Sequence, residues 1–487
     1  MEFLRDHIWW ILFGANYLIA FATAGFEVMQ NREPVKSISL IFALIVLPFI
    51  GIIIYYLFAQ DYRKDKIFNR KRVYDHRMIK EWEDKLLLGE EELERMTYGP
   101  IKKKIKLVRL LQNNQAKPLT LRNSVKILIN GEKKFKLLFE DIEKAEKHIH
   151  VEYYTFNSDQ IGKRLILHLC KKSEQGVSVK VSYDYVGSSI SNNVLKRMKA
   201  SGIEVYPFMP VWFSAFTPKL NYRNHRKICV IDGCIGYVGG VNVTDDSINY
   251  EEDPKNKFYW RDTHLRIRGH AVKSLQAQFL LNFNFVSGRE VELKDEYFPE
   301  VNLNETTAVQ IASSGPDTDW RNIMEAIFTA INTAEKYIYI TTPYFIPNNQ
   351  ILTALCTASR QGVDVRIIIP QKGDSVIAKY ATNSFIQMLL ESGIKVYHYC
   401  KGMVHAKTLI VDDVLSSVGT CNLDNRSFEI NFEINAFVFD ENVATELCEN
   451  YKADIEESEE LLLEEWVKRS MSEKVKESLC RLLGPLL

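Results

Sequence analysis

The 487-residue sequence predicts an α/β protein built from two duplicated halves with pseudo-two-fold symmetry, preceded by two transmembrane helices. Three observations carry that prediction. An H-x-K-x-x-x-x-D pattern occurs twice, a longer internal repeat surrounds it, and two uncharged apolar runs stand at the N-terminus. The pattern reads His225-Arg226-Lys227 with Asp232, then His405-Ala406-Lys407 with Asp412, each position shifted by 180. Each copy runs into an apolar stretch that reads as a strand and is followed by a matched glycine and asparagine: Gly239 and Asn242, then Gly419 and Asn422.

Residues 1–62 read as a transmembrane hairpin. Ile8 to Phe26 is apolar apart from Asn16, Tyr17 and Thr23, and Ile38 to Ala59 carries no charge. Each run has about the length of a bilayer-spanning helix. A cleaved signal peptide fits less well, because the basic start is weak and a second run follows closely. Arg32 and Lys36 lie between the runs, whereas Arg63, Lys64, Lys66, Arg70, Lys71 and Arg72 follow the second. That asymmetry orients the rest of the chain toward the cytoplasm. The cluster could also hold anionic lipid headgroups.

Residues 63–118 read as a helical, basic connector. Trp82, Leu86, Leu87, Leu88 and Leu93 give it an apolar face, Lys102 to Lys104 and Lys106 form a basic run, and Pro118 closes it. The basic run reads as a solvated helix face or a membrane-surface segment.

Residues 119–300 and 301–487 are the two α/β halves, the second ending in helices. Ala145-Glu146-Lys147 matches Ala334-Glu335-Lys336, Gln175-Gly176-Val177 matches Gln361-Gly362-Val363, and Ser201-Gly202-Ile203 matches Ser392-Gly393-Ile394. Each half alternates helices with short β-branched strands, the signature of a sheet with helices on its faces. Packing about a pseudo-two-fold axis would bring both motifs to one cleft.

Composition narrows the function. The 62 basic and 62 acidic residues cancel, which argues against a nucleic-acid partner. Eight cysteines are scattered with no C-x-x-C pair, as in a reduced compartment without a zinc site. The motif residues His225, Lys227, Asp232, His405, Lys407 and Asp412 instead suit a phosphodiester and call for no metal and no other cofactor. Two lysines can neutralise the phosphate and the extra charge of its transition state, and Asn242 and Asn422 can donate hydrogen bonds to the same oxygens. One histidine can attack phosphorus while the other protonates the leaving group. A nucleophilic imidazole needs an acceptor on its other nitrogen. Asp262 and Glu433, in later strand-like runs, are the candidates. Asp232 and Asp412 complete the motif, but their spacing from the lysines turns them away, as braces for neighbouring backbone.

These residues resemble the phospholipase D superfamily, and within it the bacterial cardiolipin synthases. Asn224-His225-Arg226-Lys227-Ile228, Gly239-Gly240-Val241-Asn242, Tyr259-Trp260-Arg261-Asp262-Thr263-His264, Val404-His405-Ala406-Lys407, and Asn422 to Phe428 carry the resemblance, with the two apolar runs and Arg481 to Leu487. Thr420 departs from the pattern, standing where the first motif has Gly240. The resemblance implies a multi-pass enzyme of the bacterial cell membrane that converts two phosphatidylglycerol molecules to cardiolipin and glycerol. It implies His225 as nucleophile, forming a phosphatidyl-histidine, and His405 as acid and then base. The residues alone leave the roles symmetric, and leave open a phosphodiesterase with water as acceptor, a nuclease, or a scaffold that kept the fold. Val211 to Phe216 has no counterpart before the second motif. Trp212, Phe213 and Phe216 are therefore expected to line the lipid's path to the site, or else to pack between the halves.

Overall fold

The computed structural model describes residues 2–29, 34–52, 55, 99–115, 118–210, 221–249, 258–289, 291, 294–318 and 320–484. They fall into two compact units, 1–65 and 66–487.

In the first unit, apolar sequence makes a long helix, Glu2–Met29, of which His7–Met29 is long and apolar enough to cross a membrane. A second helix, Pro34–Val46, opens with proline, whose missing N–H is not needed in a first turn. It does not continue through the whole second run. Pro48 lacks a donor and disfavours helix at the residue before it. The chain turns there, and Phe49 adopts a left-handed backbone with φ 64°. The expected second span is thus broken, and one helix of spanning length is present among the described residues. Two sets of polar contacts tie this unit together: the Phe49 N–H donates to Asn16 Oδ1 at 2.9 Å, and buried Glu27 accepts from Ser37 and Tyr55. The connector's apolar face at 82–93 and the basic cluster at 63–72 lie outside the described residues.

The second unit bears the duplication in its topology. The first half's sheet runs, edge to edge, Asn123–Ile129, Thr263–Gly269, Ile235–Gly239, Lys227–Ile231, His148–Tyr153, Ser178–Asp184 and Glu204–Phe208. The second half repeats that order with Ala308–Ser314, Glu433–Phe439, Leu415–Gly419, Thr408–Val411, Tyr337–Thr341, Asp364–Pro370 and Lys395–Tyr399. In both, the strand after each motif pairs antiparallel with the central strand, which is flanked on its other side by parallel neighbours.

Strand alternation then assigns the layers. Ile228 and Val230 join Ile410, Val418, Ile434 and Val438 in a core between the two sheets. Cys229 and Ile231 face the first half's own helices, and Leu409 and Val411 face the second's. The body is a sandwich of helices, sheet, sheet and helices.

One boundary moves. Leu119–Thr120 adds to the edge of the second half's sheet rather than the first's. The Gly99–Lys103 and Ile105–Gln115 helices lead into it, with Leu107, Val108 and Leu111 buried in the second half's core. Lys104, read from sequence as part of a solvated basic run, is 1% exposed and donates to Asp412 at 2.7 Å and to the Thr333 carbonyl at 2.6 Å. Residues 99–115 and 118–120 thus pack with the second half, because their apolar stripe and one buried lysine find partners there.

Candidate active site

The two motifs meet where the halves dock. His225 lies just before the Lys227–Ile231 strand, and His405 lies between Gly402–Val404 and Thr408–Val411. Each backbone is pinned across the interface: His225 N donates to Phe432 O at 2.9 Å, and His405 N donates to Arg261 O at 2.7 Å. The residues after those carbonyls are Glu433 and Asp262. Each acid is thereby delivered to the other half's histidine. His225 Nδ1 lies 2.9 and 3.0 Å from the two Glu433 carboxylate oxygens, and His405 Nδ1 lies 2.8 Å from Asp262 Oδ2. Both acids are fully buried.

Lys227 opens its strand, and Lys407 lies just before the Thr408–Val411 strand. Lys227 Nζ curls back to donate to His225 O at 2.7 Å, and Lys407 Nζ to His405 O at 2.6 Å. Lys407 Nζ is also 3.0 Å from the His405 ring nitrogens. Asn242 is buried and its Oδ1 accepts from Thr155 N at 3.3 Å, next to Tyr154, whose ring meets His225 edge-on at 4.8 Å. Asn422 is buried beside Cys421 and Thr420. The structure therefore brings both histidines, both lysines, both acids and both asparagines into the docking region of the two halves.

Asp232 and Asp412 are not among them. Each sits in a left-handed turn, φ 51° and 56°, a conformation aspartate tolerates. Asp232 accepts from the backbone N–H of Glu146, Lys147 and His148, and Asp412 from Glu335, Lys336 and Tyr337. Counted with the motif as catalytic, they are instead the backbone braces their spacing suggested. Trp212, Phe213 and Phe216 lie outside the described residues.

Three further residues take part that the sequence did not single out as site residues. Thr420 looked like a lost glycine. Its hydroxyl donates to Glu433 Oε2 at 2.5 Å, and its carbonyl lies 3.1 Å from His225 Nδ1. At Gly240 the opposite holds: a Cβ there would stand 2.0 Å from Asp262 Oδ1. Trp260 packs on His405 with centroids 5.0 Å apart and is fixed by two hydrogen bonds between its backbone and Asn249.

Burial and charge tune the set unequally. Burial, then the charges of Lys227, Lys407 and His405, push His225 well below the imidazole range. Burial and Lys407 also lower His405, but the bond to Asp262 opposes them. Burial lowers Lys227 to about 7 and Lys407 to about 8, with the two acids opposing. Burial raises Glu433 to about 7 against the pull of Lys227 and Thr420. Burial would raise Asp262 too, but the His405 bond, the charges of His405 and Lys407, and the Thr263 N–H together hold it low. The result is two lysines and two imidazoles buried together with two acids, each lysine held ready to be charged by an anion that gains charge as it reacts. Among the described residues, no three histidine, cysteine or acidic side chains are grouped to hold a metal ion.

Comparison with known proteins gives the family. The family described as "Cardiolipin synthase, PLD-like domain" matches residues 138–258 and 327–455, one segment in each half. A cardiolipin synthase of Halalkalibacterium halodurans is 38% identical over 100% of this chain and 96% of its own. Cardiolipin synthase 2 of Staphylococcus epidermidis is 40% identical over 98% of each chain. The crystal structure of a phosphatidylserine synthase from Haemophilus influenzae shares the fold, with TM-score 0.61 and 16% identity over 78% of this chain and 100% of that one.

Proposed function

Because the chain belongs to the cardiolipin synthases, enzymes of the phospholipase D superfamily, we propose that it joins two phosphatidylglycerol molecules into cardiolipin and releases glycerol, through a phosphatidyl-histidine on His225. The crossed pairing of each histidine with the other half's acid is the observation that carries this reading. Glu433 occupies His225 Nδ1, which leaves Nε2 to attack phosphorus. The P–N bond forms as the P–O bond to glycerol breaks, and His405, protonated with Asp262 as its counter-ion, gives its proton to the departing oxygen. The hydroxyl of the second lipid then returns a proton to His405 as its oxygen takes phosphorus, and His225 is freed. Lys227 and Lys407 neutralise the phosphoryl oxygens, with Asn242 and Asn422 as further donors.

The unequal environments support the division of roles. His225 is held more firmly neutral, as a nucleophile needs, while the ionised Asp262 favours a proton on His405. The Glu2–Met29 helix, of spanning length from His7 to Met29, and the basic residues from Arg63 onward support a membrane-anchored enzyme with its catalytic body in the cytoplasm.

Purified enzyme given phosphatidylglycerol alone tests the reading. Cardiolipin with equimolar glycerol is expected; phosphatidic acid instead would make it a hydrolase using water. Denaturing quench of His405→Ala should trap a phosphatidyl adduct that His225→Ala cannot form, and the reverse pattern would exchange the two roles.

A further inference from the structure

Exposed apolar side chains on the catalytic body gather around the mouth of this site. The strands Ser178–Asp184 and Asp364–Pro370 are equivalents in the two halves, and each ends at the cleft. After the first, Tyr185 and Val186 are exposed, and the adjoining Gly187 lies so close to Tyr154 that a Cβ would meet its ring at 2.6 Å. Tyr154 is the ring against His225. After the second, Asp374 accepts from Tyr344 at 2.6 Å, and Val376, 71% exposed, and Ile377 follow it. The same kind of side chain is thus bared on both sides of the cleft.

The patch continues onto the C-terminal helix, Met471–Leu482. That helix lies along Val376–Glu391, with Lys476 over the Tyr380 ring and Arg481 over the Phe385 ring. Its outer face bares Met471, Val475, Leu479 and Leu482, the first and last about three-quarters exposed, at spacings that form one stripe. Its end returns to the site: the Gly484 carbonyl accepts from Asn425, three residues after Asn422. Exposed Lys372, Lys379, Lys468 and Lys476 stand on these segments, together with exposed Asp374, Glu464 and Glu465, and Lys476 pairs with Glu473.

We propose that this face, the two strand-end loops with the outer stripe of the Met471–Leu482 helix, seats on a bilayer of anionic phospholipid and holds the cleft mouth against the headgroups. Contiguous apolar surface rimmed by cations is what a charged interface accepts. Its position at the mouth matches a substrate whose acyl chains stay in the bilayer while its phosphate enters the cleft. The proposal rests on the lipid-substrate reading and adds the surface that presents the lipid, separate from the N-terminal helices.

The test uses the full chain in proteoliposomes of phosphatidylglycerol with brominated acyl chains. Leu479→Trp should add fluorescence that bromine quenches, whereas Leu167→Trp, exposed on the Gln160–Glu174 helix, should add unquenched fluorescence. The triple variant Val376→Ser/Ile377→Ser/Leu479→Ser should lose about tenfold in activity on bilayers and keep its activity on monomeric short-chain phosphatidylglycerol within about twofold. Absence of quenching in Leu479→Trp, equal loss on both substrates, or burial of the face between two copies seen by cross-linking would overturn the proposal. Normal cardiolipin formation by Leu479→Trp without quenching overturns the surface alone. Quenching in Leu479→Trp without any cardiolipin from the unmodified enzyme overturns the substrate reading and leaves the surface standing.

Discussion

The first half presents its histidine to a glutamate, the second presents its histidine to an aspartate, and the surroundings differ in step. Glu433 takes a hydrogen bond from the Thr420 hydroxyl, yet burial raises it to about 7, whereas Asp262 fills the space that Gly240 leaves empty and stays ionised. Strand order, motif turns and backbone pins are the same on both sides. Duplication thus supplied two equal imidazoles, and changes in the groups around their acid partners made them unequal. A two-step transfer needs that inequality, because one imidazole must be free of a proton when the other carries one.

The largest way to break the comparison is to remove either imidazole. His225→Ala and His405→Ala should each lower kcat by more than about a thousandfold, and trapping of the phosphatidyl adduct separates them. Next come the crossed acids. Glu433→Gln and Asp262→Asn keep shape but replace the carboxylate with a neutral amide, and each should lower kcat by about a hundredfold to ten-thousandfold. Rapid-quench kinetics should show Glu433→Gln slowing adduct formation and Asp262→Asn slowing protonation of the leaving group and adduct breakdown. An effect confined to the half in which the mutated acid resides would contradict the crossing.

Acidity gives a smaller effect. As pH falls through about 7, Glu433 protonates and His225 loses its acceptor. As pH rises through about 7 to 8, Lys227 and then Lys407 lose the charge that neutralises phosphate. The profile of kcat/KM should be a narrow bell near neutrality, falling about tenfold per unit on either side, and a flat profile from about 6 to 9 would contradict the assigned cations. Thr420→Val removes only the hydroxyl; a loss of about tenfold, with the acid limb moved to higher pH, is expected because Glu433 loses a donor that favours its charge. The smallest catalytic effect belongs to Lys104→Ala. It should leave kcat within about twofold but lower stability by about 3 kcal/mol in denaturant titration, since Asp412 loses its buried counter-ion.

Sequence revealed the parts of this molecule that are local. The H-x-K spacing, the repeated turns and the strand alternation lie within short windows, so the duplication, the histidines, the lysines and the bracing aspartates could be read. The crossed pairing could not, because it is set by docking: the bond from His225 N to Phe432 O joins residues more than two hundred apart. Thr420 read as a missing glycine because its value depends on a carboxylate from a later strand. Lys104 sat in a run of lysines with nothing to mark the one that is buried. The break in the second apolar run did have a signal, Pro48, whose effect on backbone geometry outweighs the hydropathy around it.

The crossed acids also govern when chemistry can begin. A chain emerging from the ribosome folds its first half while Glu433 is still unmade, so His225 has no acceptor and His405 does not yet exist. A chain that ends before Glu433 can hold Asp262 with His405, but not His225 with its acid. The His225 pair is therefore complete only once the Glu433–Phe439 strand has been made and has joined the second sheet.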